Sequence, residues 1–433
     1  VGENRGEILK MTPIELRIRG IGAGGVGIAD LPDGRVVFVP RTVPDDLALV
    51  QLVKEKDRWA KGEVEEILEA GEGRMKAPCR LYDVCDGCSL QHLAYDQQLH
   101  WKGRIVGDAL RRIGKQEVDD PEVVASPKEL KYRNKISLVF RRLAGGRVVA
   151  GFHDRKNHKR ILDVNYECLL PEAGLGALWV ELRKAWGPGG KRLSLGGELR
   201  LTLRLGDGGG ALLIKGGRGD GSPKELMELV PGLTSIWREE RGGKVRHLEG
   251  ETSLGMSWLD TQIEVTGGAF VQVNQGAGEL LQRYVLELAG YLPGLSVVEG
   301  YCGAGVLGKI LAREGASVTG IELDPQAVEE AQRDAPSGFQ AVEGKVEELL
   351  GEHLPADLLL LNPPRAGLDP RVPELLGAKP VQRVVYVSCD PATLARDLQR
   401  IGGGYEVVGL KSFDLFPQTG HVETVVSLRV RED

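Results

Sequence analysis

Six cysteines are the side chains of this 433-residue chain best suited to chemistry, and their spacing sorts them into two kinds. Cys389 sits in Val384-Val385-Tyr386-Val387-Ser388-Cys389-Asp390-Pro391. Val384 to Ser388 reads as a short buried strand stopped by an Asp-Pro turn signal, and Ala392 to Ile401 carries a helical pattern. A thiol at that turn lies where open α/β sheets put their ligands, and the following helix N-terminus can lower its pKa. The alternative is a small core residue, since free cysteines are among the most buried types. Cys79, Cys85 and Cys88 form a C-x5-C-x2-C cluster, with Cys168 a distant candidate fourth. In a chain expected to be cytoplasmic this spacing predicts a metal or iron–sulfur site rather than disulfides. Structural zinc usually shows two close pairs, so three ligands plus one favours iron–sulfur over zinc, with unligated core cysteines as the remaining reading.

Charge supplies a second feature. The net charge of −6 argues against a generic nucleic-acid binder, but its distribution is uneven. Lys128 to Arg160 holds eleven Lys or Arg against only Glu129 and Asp154. A solvated face is the plain reading of such a run, and a polyanion site is the one favoured here. Within it, Lys131, Arg133 and Lys135 alternate with Tyr132, a pattern suited to phosphate contacts plus base stacking.

The elements that must position these groups suggest three domains in an α/β, multi-domain chain. Residues 12–70 read as a small β domain with strands near Ile14–Ile18, Arg35–Val39, Ala48–Lys54 and Lys61–Leu68. The glycine-rich loop from Gly20 to Ala29 lacks the lysine of a phosphate loop and opens no helix, so it predicts a bent barrel corner. A five-stranded barrel of the oligonucleotide-binding type is expected, and the segment resembles a TRAM domain, an RNA-binding barrel attached to RNA-modifying enzymes. Residues 75–258 form a central mixed domain with the cysteine cluster and the basic segment; a helix over 93–114 is expected to pack on a neighbouring domain, and 171–258 reads as strand-like scaffold.

Residues 259–433 alternate strands and helices, which predicts a parallel, doubly wound, Rossmann-like sheet. Ser296 to Gly308 is a strand, a glycine turn and a helix start; the next strand, from Ser317, ends in Glu322, placed to accept hydrogen bonds from ribose hydroxyls. The turn lacks a full G-x-G-x-x-G, which favours S-adenosylmethionine over a dinucleotide. Two prolines make Asn362-Pro363-Pro364-Arg365 a rigid loop at the carboxyl edge of the sheet. On its own terms Glu423 is a strand-end charge.

The loop N-P-P-R-x-G, the turn Y-x-S-C-D-P-A-T and the tail F-D-x-F-P-Q-T-x-H-V-E follow in that order. With them the chain resembles, over nearly its whole length, the S-adenosylmethionine-dependent RNA uracil-C5 methyltransferases that make 5-methyluridine, the 23S ribosomal RNA type most of all. The resemblance also brings in Phe270-Val271-Gln272-Val273-Asn274 as F-x-Q-x-N. It implies that Cys389 is the nucleophile and Glu423 the general base, because uracil C5 needs a thiolate at C6 before it can take a methyl group. It further implies that Gln272, Tyr301, Glu322 and Asn362 hold the cofactor. Cys79, Cys85, Cys88 and Cys168 would bind a structural 4Fe–4S cluster, and the uridine would be flipped from its stack. Asn362 stands where many members have aspartate, Asp390 where asparagine is usual, and Val306 where some use asparagine. A carboxylate at 390 is expected to raise the thiol pKa.

Two further readings remain. An amino-group RNA methyltransferase would share the N-P-P loop and need no cysteine. An RNA-binding or chaperone module with a lapsed methyltransferase domain would bind RNA but not the cofactor. The expected partner is 23S ribosomal RNA or, second, transfer RNA, with no obligate protein partner and a monomeric state. No apolar run approaches the ~20 residues of a membrane span, and Val1 to Arg5 lacks a signal-peptide pattern.

Overall fold

Alternating apolar and polar residues from Ile14 to Glu69 fold as six strands, with Ala48, Val50, Val37, Val39 and Ala60 on the fully buried face. In the computed structural model, which describes residues 12–259, 261–269, 271–290 and 293–431, they form one six-stranded sheet curled into a half-barrel. This sheet stands in place of the expected five-stranded barrel. The glycine loop adds two strands to the four expected spans, being a hairpin of Gly20–Gly22 and Val26–Asp30 rather than a bent corner. Phe270 and residues 1–5 lie outside the described residues.

A helix, Tyr95–Arg112, follows the cysteine cluster and buries Val106 and Leu110 in the core of the C-terminal sheet. Burying two such side chains contributes about 3–6 kcal/mol. The short strand Val123–Val124 then joins the edge of that same sheet beside Tyr405–Phe413. The central sheet has seven strands and begins with Lys135–Arg142. Residues 171–258 are not all strand: Ala173–Ala185 and Pro223–Leu229 are helices. The first buries Leu175, Leu178, Trp179 and Leu182, a helical spacing that its two glycines disguise. The hairpin of Leu254–Trp258 and Thr261–Val265 straddles position 259 and packs Trp258 and Met256 with both Trp237 and Val271.

The C-terminal sheet runs Phe339–Glu343, Ser317–Glu322, Ser296–Gly300, Leu358–Leu361, Arg383–Ser388, Glu423–Val430, Tyr405–Phe413 and Val123–Val124. The first five are parallel, with Leu358–Leu361 buried throughout, as a strand covered on both faces requires. The sheet departs from the expected all-parallel form at Glu423–Val430, which runs antiparallel to both neighbours. Among the described residues no helix is long and apolar enough to cross a membrane.

Candidate active site

The reversed strand decides where the site lies. Its register pairs Ser388 with Thr424, so one step further along the ladder the residue after Ser388 faces the residue before Thr424. Cys389 leaves one strand where Glu423 begins the next, at the carboxyl edge of the sheet. Cys389 is half-buried, and burial raises its thiol pKa, with the Glu423 carboxyl adding to the rise and the Arg365 guanidinium opposing it. Glu423 is buried and its pKa is pushed up to about 8 by that burial, again opposed by Arg365. Arg365 in the proline loop therefore acts on both groups, a part that only its place in the motif hints at.

Asp390 raises the thiol pKa, as expected, and also caps the helix that follows it. Its carboxylate turns into the helix Pro391–Ile401 and accepts from the Thr393 amide at 2.9 Å, as an N-cap, with proline at the first helical position. Its effect on Cys389 is smaller than those of burial, Glu423 and Arg365.

An open cleft of about 950 Å³, its solvent mouth included, lies beside the glycine turn and is lined by Trp258, Gln272, Glu299, Tyr301, Cys302 and Asn362 among others. Three of the four expected cofactor residues are thus brought together. Glu322 is not among the lining residues. Its carboxylate accepts from the amides of Gly303 at 2.9 Å, Leu323 at 2.8 Å and Asp324 at 2.9 Å, so it pins the glycine turn to its own strand end. Gly303 sits at φ +55, where a side chain would be strained. Asn274 caps the helix Gln275–Ala289, accepting from Ala277, and donates to Ser126 and Leu415. Sequence reasoning misses Glu299, although an acid directly after Val297-Val298 in a strand is itself a signal. Burial lifts its pKa to about 8, and one of its carboxyl oxygens is buried without a partner.

Cys79, Cys85, Cys88 and Cys168 all line one second cavity, although eighty residues separate the last two in sequence. Burial pushes Cys88 up to about 11 and Cys168 to about 12; neighbouring thiols add to both, and Arg133 opposes. All six cysteines are free thiols. Among the described residues no three His, Cys, Asp or Glu side chains group closely enough to hold a metal ion.

The three expected RNA-facing cations do not share a face. Lys131 is exposed, whereas Arg133 and Lys135 are half-buried and line the thiol cavity. Lys131 has φ +53, and that bend breaks the strand alternation before Lys135 resumes it. Burial lowers the Lys135 pKa to about 8, Arg204 adding to the fall. Tyr132 is only 2% exposed and donates to the Pro417 carbonyl at 3.1 Å, so the expected stacking of a base on this ring is corrected to an internal contact. Part of the basic run is also paired at the surface: Arg141 with Glu198, Lys156 with Glu63 and Arg160 with Asp154.

Residues 345–431 match the family described as tRNA (uracil-5-)-methyltransferase. An "Uncharacterized RNA methyltransferase" of Gloeobacter violaceus is 34% identical over 98% of this chain and 98% of its own. Another, of Halalkalibacterium halodurans, is 31% identical over the full length of both chains. The crystal structure of the Pyrococcus abyssi tRNA (uracil-54, C5)-methyltransferase in complex with S-adenosyl-L-homocysteine is similar at a TM-score of 0.75 and 26% identity, covering 96% of this chain and 99% of that one.

Proposed function

Because the chain belongs to the RNA uracil-C5 methyltransferase family and is an S-adenosylmethionine-dependent RNA methyltransferase, we propose that it methylates C5 of a uridine through Cys389 and Glu423. The observation that carries this reading is the antiparallel register that sets a half-buried thiol beside a buried carboxyl, next to the cleft. The Cys389 thiolate adds to uracil C6, which makes C5 an enolate-like carbon nucleophile. Gln272, Tyr301 and Asn362 in the cleft, and Glu322 at the glycine turn, would hold S-adenosylmethionine, which would supply the electrophilic methyl group. Glu423 then takes the C5 proton; the C5–H electron pair re-forms C5=C6, and the sulfur leaves C6 as thiolate. Arg365 favours the charged forms of both groups, which burial alone disfavours.

Cys79, Cys85, Cys88 and Cys168 would hold a 4Fe–4S cluster. A cubane needs four thiolates around a common space, and these four line one cavity. The cluster's part is structural. The N-terminal half-barrel, as a TRAM-type module, and the exposed Lys131 would contact RNA backbone, with Arg133 and Lys135 serving the thiol cavity as well.

The first substrate to test is 23S ribosomal RNA. Transfer RNA is the second, favoured by the likeness to the Pyrococcus abyssi enzyme. Methyl transfer from labelled S-adenosylmethionine to both unmodified RNAs, side by side, is expected to yield 5-methyluridine in one of them. Label on an exocyclic amine, or none in either RNA with the cofactor bound, would overturn the reading.

A further inference from the structure

The stretch from Asp414 to Val422 leads directly into Glu423, and distant parts of the chain grip it from several sides. Lys102, on the helix Tyr95–Arg112, places its ammonium 2.6 Å from Asp414, and neither side chain has any solvent exposure. The same ammonium donates to the Phe416 carbonyl at 3.2 Å. One helical turn earlier, Gln98 and Gln418 bond reciprocally: the Gln98 amide donates to the Gln418 side chain at 3.1 Å and accepts from the Gln418 backbone at 3.0 Å. Ser89 and Leu90, beside Cys88, both donate to the Gln418 carbonyl at 3.0 Å. From the half-barrel, the turn at Gly24 bridges Gly420 so closely that a Cβ on Gly420 would lie 2.2 Å from the Gly24 backbone.

A buried Lys–Asp pair is a poor source of net stability, because desolvating two charges offsets most of their attraction. Here the second Asp414 oxygen is also buried without a partner. Apolar residues would fill such a space at no loss of stability, so the pair's value lies in the one geometry it permits. We infer that Lys102 and Asp414, reinforced by Gln98 and Gln418, are positioning residues that fix where Glu423 enters its strand opposite Cys389. This inference rests on Cys389 and Glu423 acting as nucleophile and base.

The clamp acts on one step more than on the others. Addition of the thiolate depends on Cys389, which sits on the neighbouring strand end. Removal of the C5 proton, which re-forms C5=C6 and expels the Cys389 thiolate, depends on the placement of Glu423. A loosened clamp therefore lets the methylated protein–RNA adduct form and delays its release.

The test uses the full chain, labelled S-adenosylmethionine and unmodified 23S ribosomal RNA and transfer RNA transcripts, with turnover and denaturant-stable adduct measured together. Lys102→Met, the charge-free pair Lys102→Met with Asp414→Leu, and Gln98→Ala are compared with Glu423→Gln. Turnover in the charge-free pair is expected to fall about 10- to 100-fold, the effect of an ångström-scale displacement, while adduct accumulates as in Glu423→Gln. Gln98→Ala, which leaves the charged pair in place but removes the Gln418 contacts and those to the Leu90 and Leu93 carbonyls, is expected to do the same more weakly and gives a second, independent perturbation should the other variants misfold. Wild-type turnover without adduct, or adduct and turnover lost in parallel across the folded variants, would overturn the positioning role. No adduct in a folded Glu423→Gln variant would instead overturn the nucleophile-and-base reading, and this inference with it.

Discussion

The chain buries thiols in two places, and the two environments differ in what can take the proton away. At the carboxyl edge of the C-terminal sheet, the Cys389 thiol faces a carboxyl and a guanidinium from other segments, with its neighbour Asp390 a smaller influence. In the central region Cys88 and Cys168, raised to about 11 and about 12 by burial, face other thiols, with Arg133 opposing. Burial penalises the thiolate in both places. In the first, Arg365 offsets part of that penalty at a half-buried thiol, an arrangement in which a single thiol can ionise during a reaction and be released again. In the second, four thiols together would need a bound cation to ionise, and once ionised they would stay so. One environment suits a nucleophile, the other a permanent ligand set.

The sharpest way to break that comparison is Cys389→Ala. Methyl transfer is expected to fall by at least about 10³-fold, with loss of any adduct to RNA containing 5-fluorouridine, while iron content and colour stay unchanged. Activity surviving the change would remove the distinction. Cys168→Ser is expected to act in the opposite sense. Anaerobically purified wild-type protein should be brown with about four irons per chain, and the variant should lose colour, iron and thermal stability together. Stoichiometric zinc and no visible absorbance in the wild type would refute the cluster.

A pH profile of kcat/KM sharpens the comparison further. Burial raises the Glu423 pKa to about 8, so the carboxyl is neutral below that pH and cannot accept a proton. With both groups required in their ionised forms, kcat/KM is expected to rise steeply up to about pH 8 and to keep rising, less steeply, above it as the Cys389 thiol, itself raised by burial, ionises. A profile flat from pH 6 to 9 would mean that another group takes the proton. The smallest effect is expected for Asp390→Asn. Both residues cap a helix equally well, so stability should change by less than about 0.5 kcal/mol. A rate change above about threefold would show that the carboxylate acts on the thiol despite being turned into its helix.

Much of the site was readable before the fold was known, and the reasons are local. Cys389 follows five strand-forming residues and precedes Asp-Pro, a pattern set by nearest neighbours. The Asn362 loop and the glycine turn are equally local, being fixed by proline and glycine. Other features depended on contacts far apart in sequence. Tyr132 looked like a stacking ring, yet its hydroxyl is held by Pro417. Arg133 and Lys135 looked like a phosphate-facing row until the bend at Lys131 turned them to the thiol cavity. The helix Ala173–Ala185 was hidden because Gly174 and Gly176 lower its helix propensity, which packing of its leucine face overrides. The glycines of the first hairpin suggested a bend, and their use at Gly24 is close approach to Gly420.

The sequence by itself determined which groups are available: a thiol at a strand end, a carboxyl at the start of a strand, a three-plus-one set of cysteines and a glycine turn after a strand. Residue type and short-range pattern suffice for that, because backbone preferences act over a few residues. Tertiary structure alone decided which groups meet. Glu423 faces Cys389 because its strand enters the sheet antiparallel, and reversing that direction would put the start of the strand at the opposite edge. Register and direction are set by which apolar faces can be buried together and by the clamp on Asp414 to Val422. Those contacts join residues hundreds of positions apart, and no local pattern encodes them.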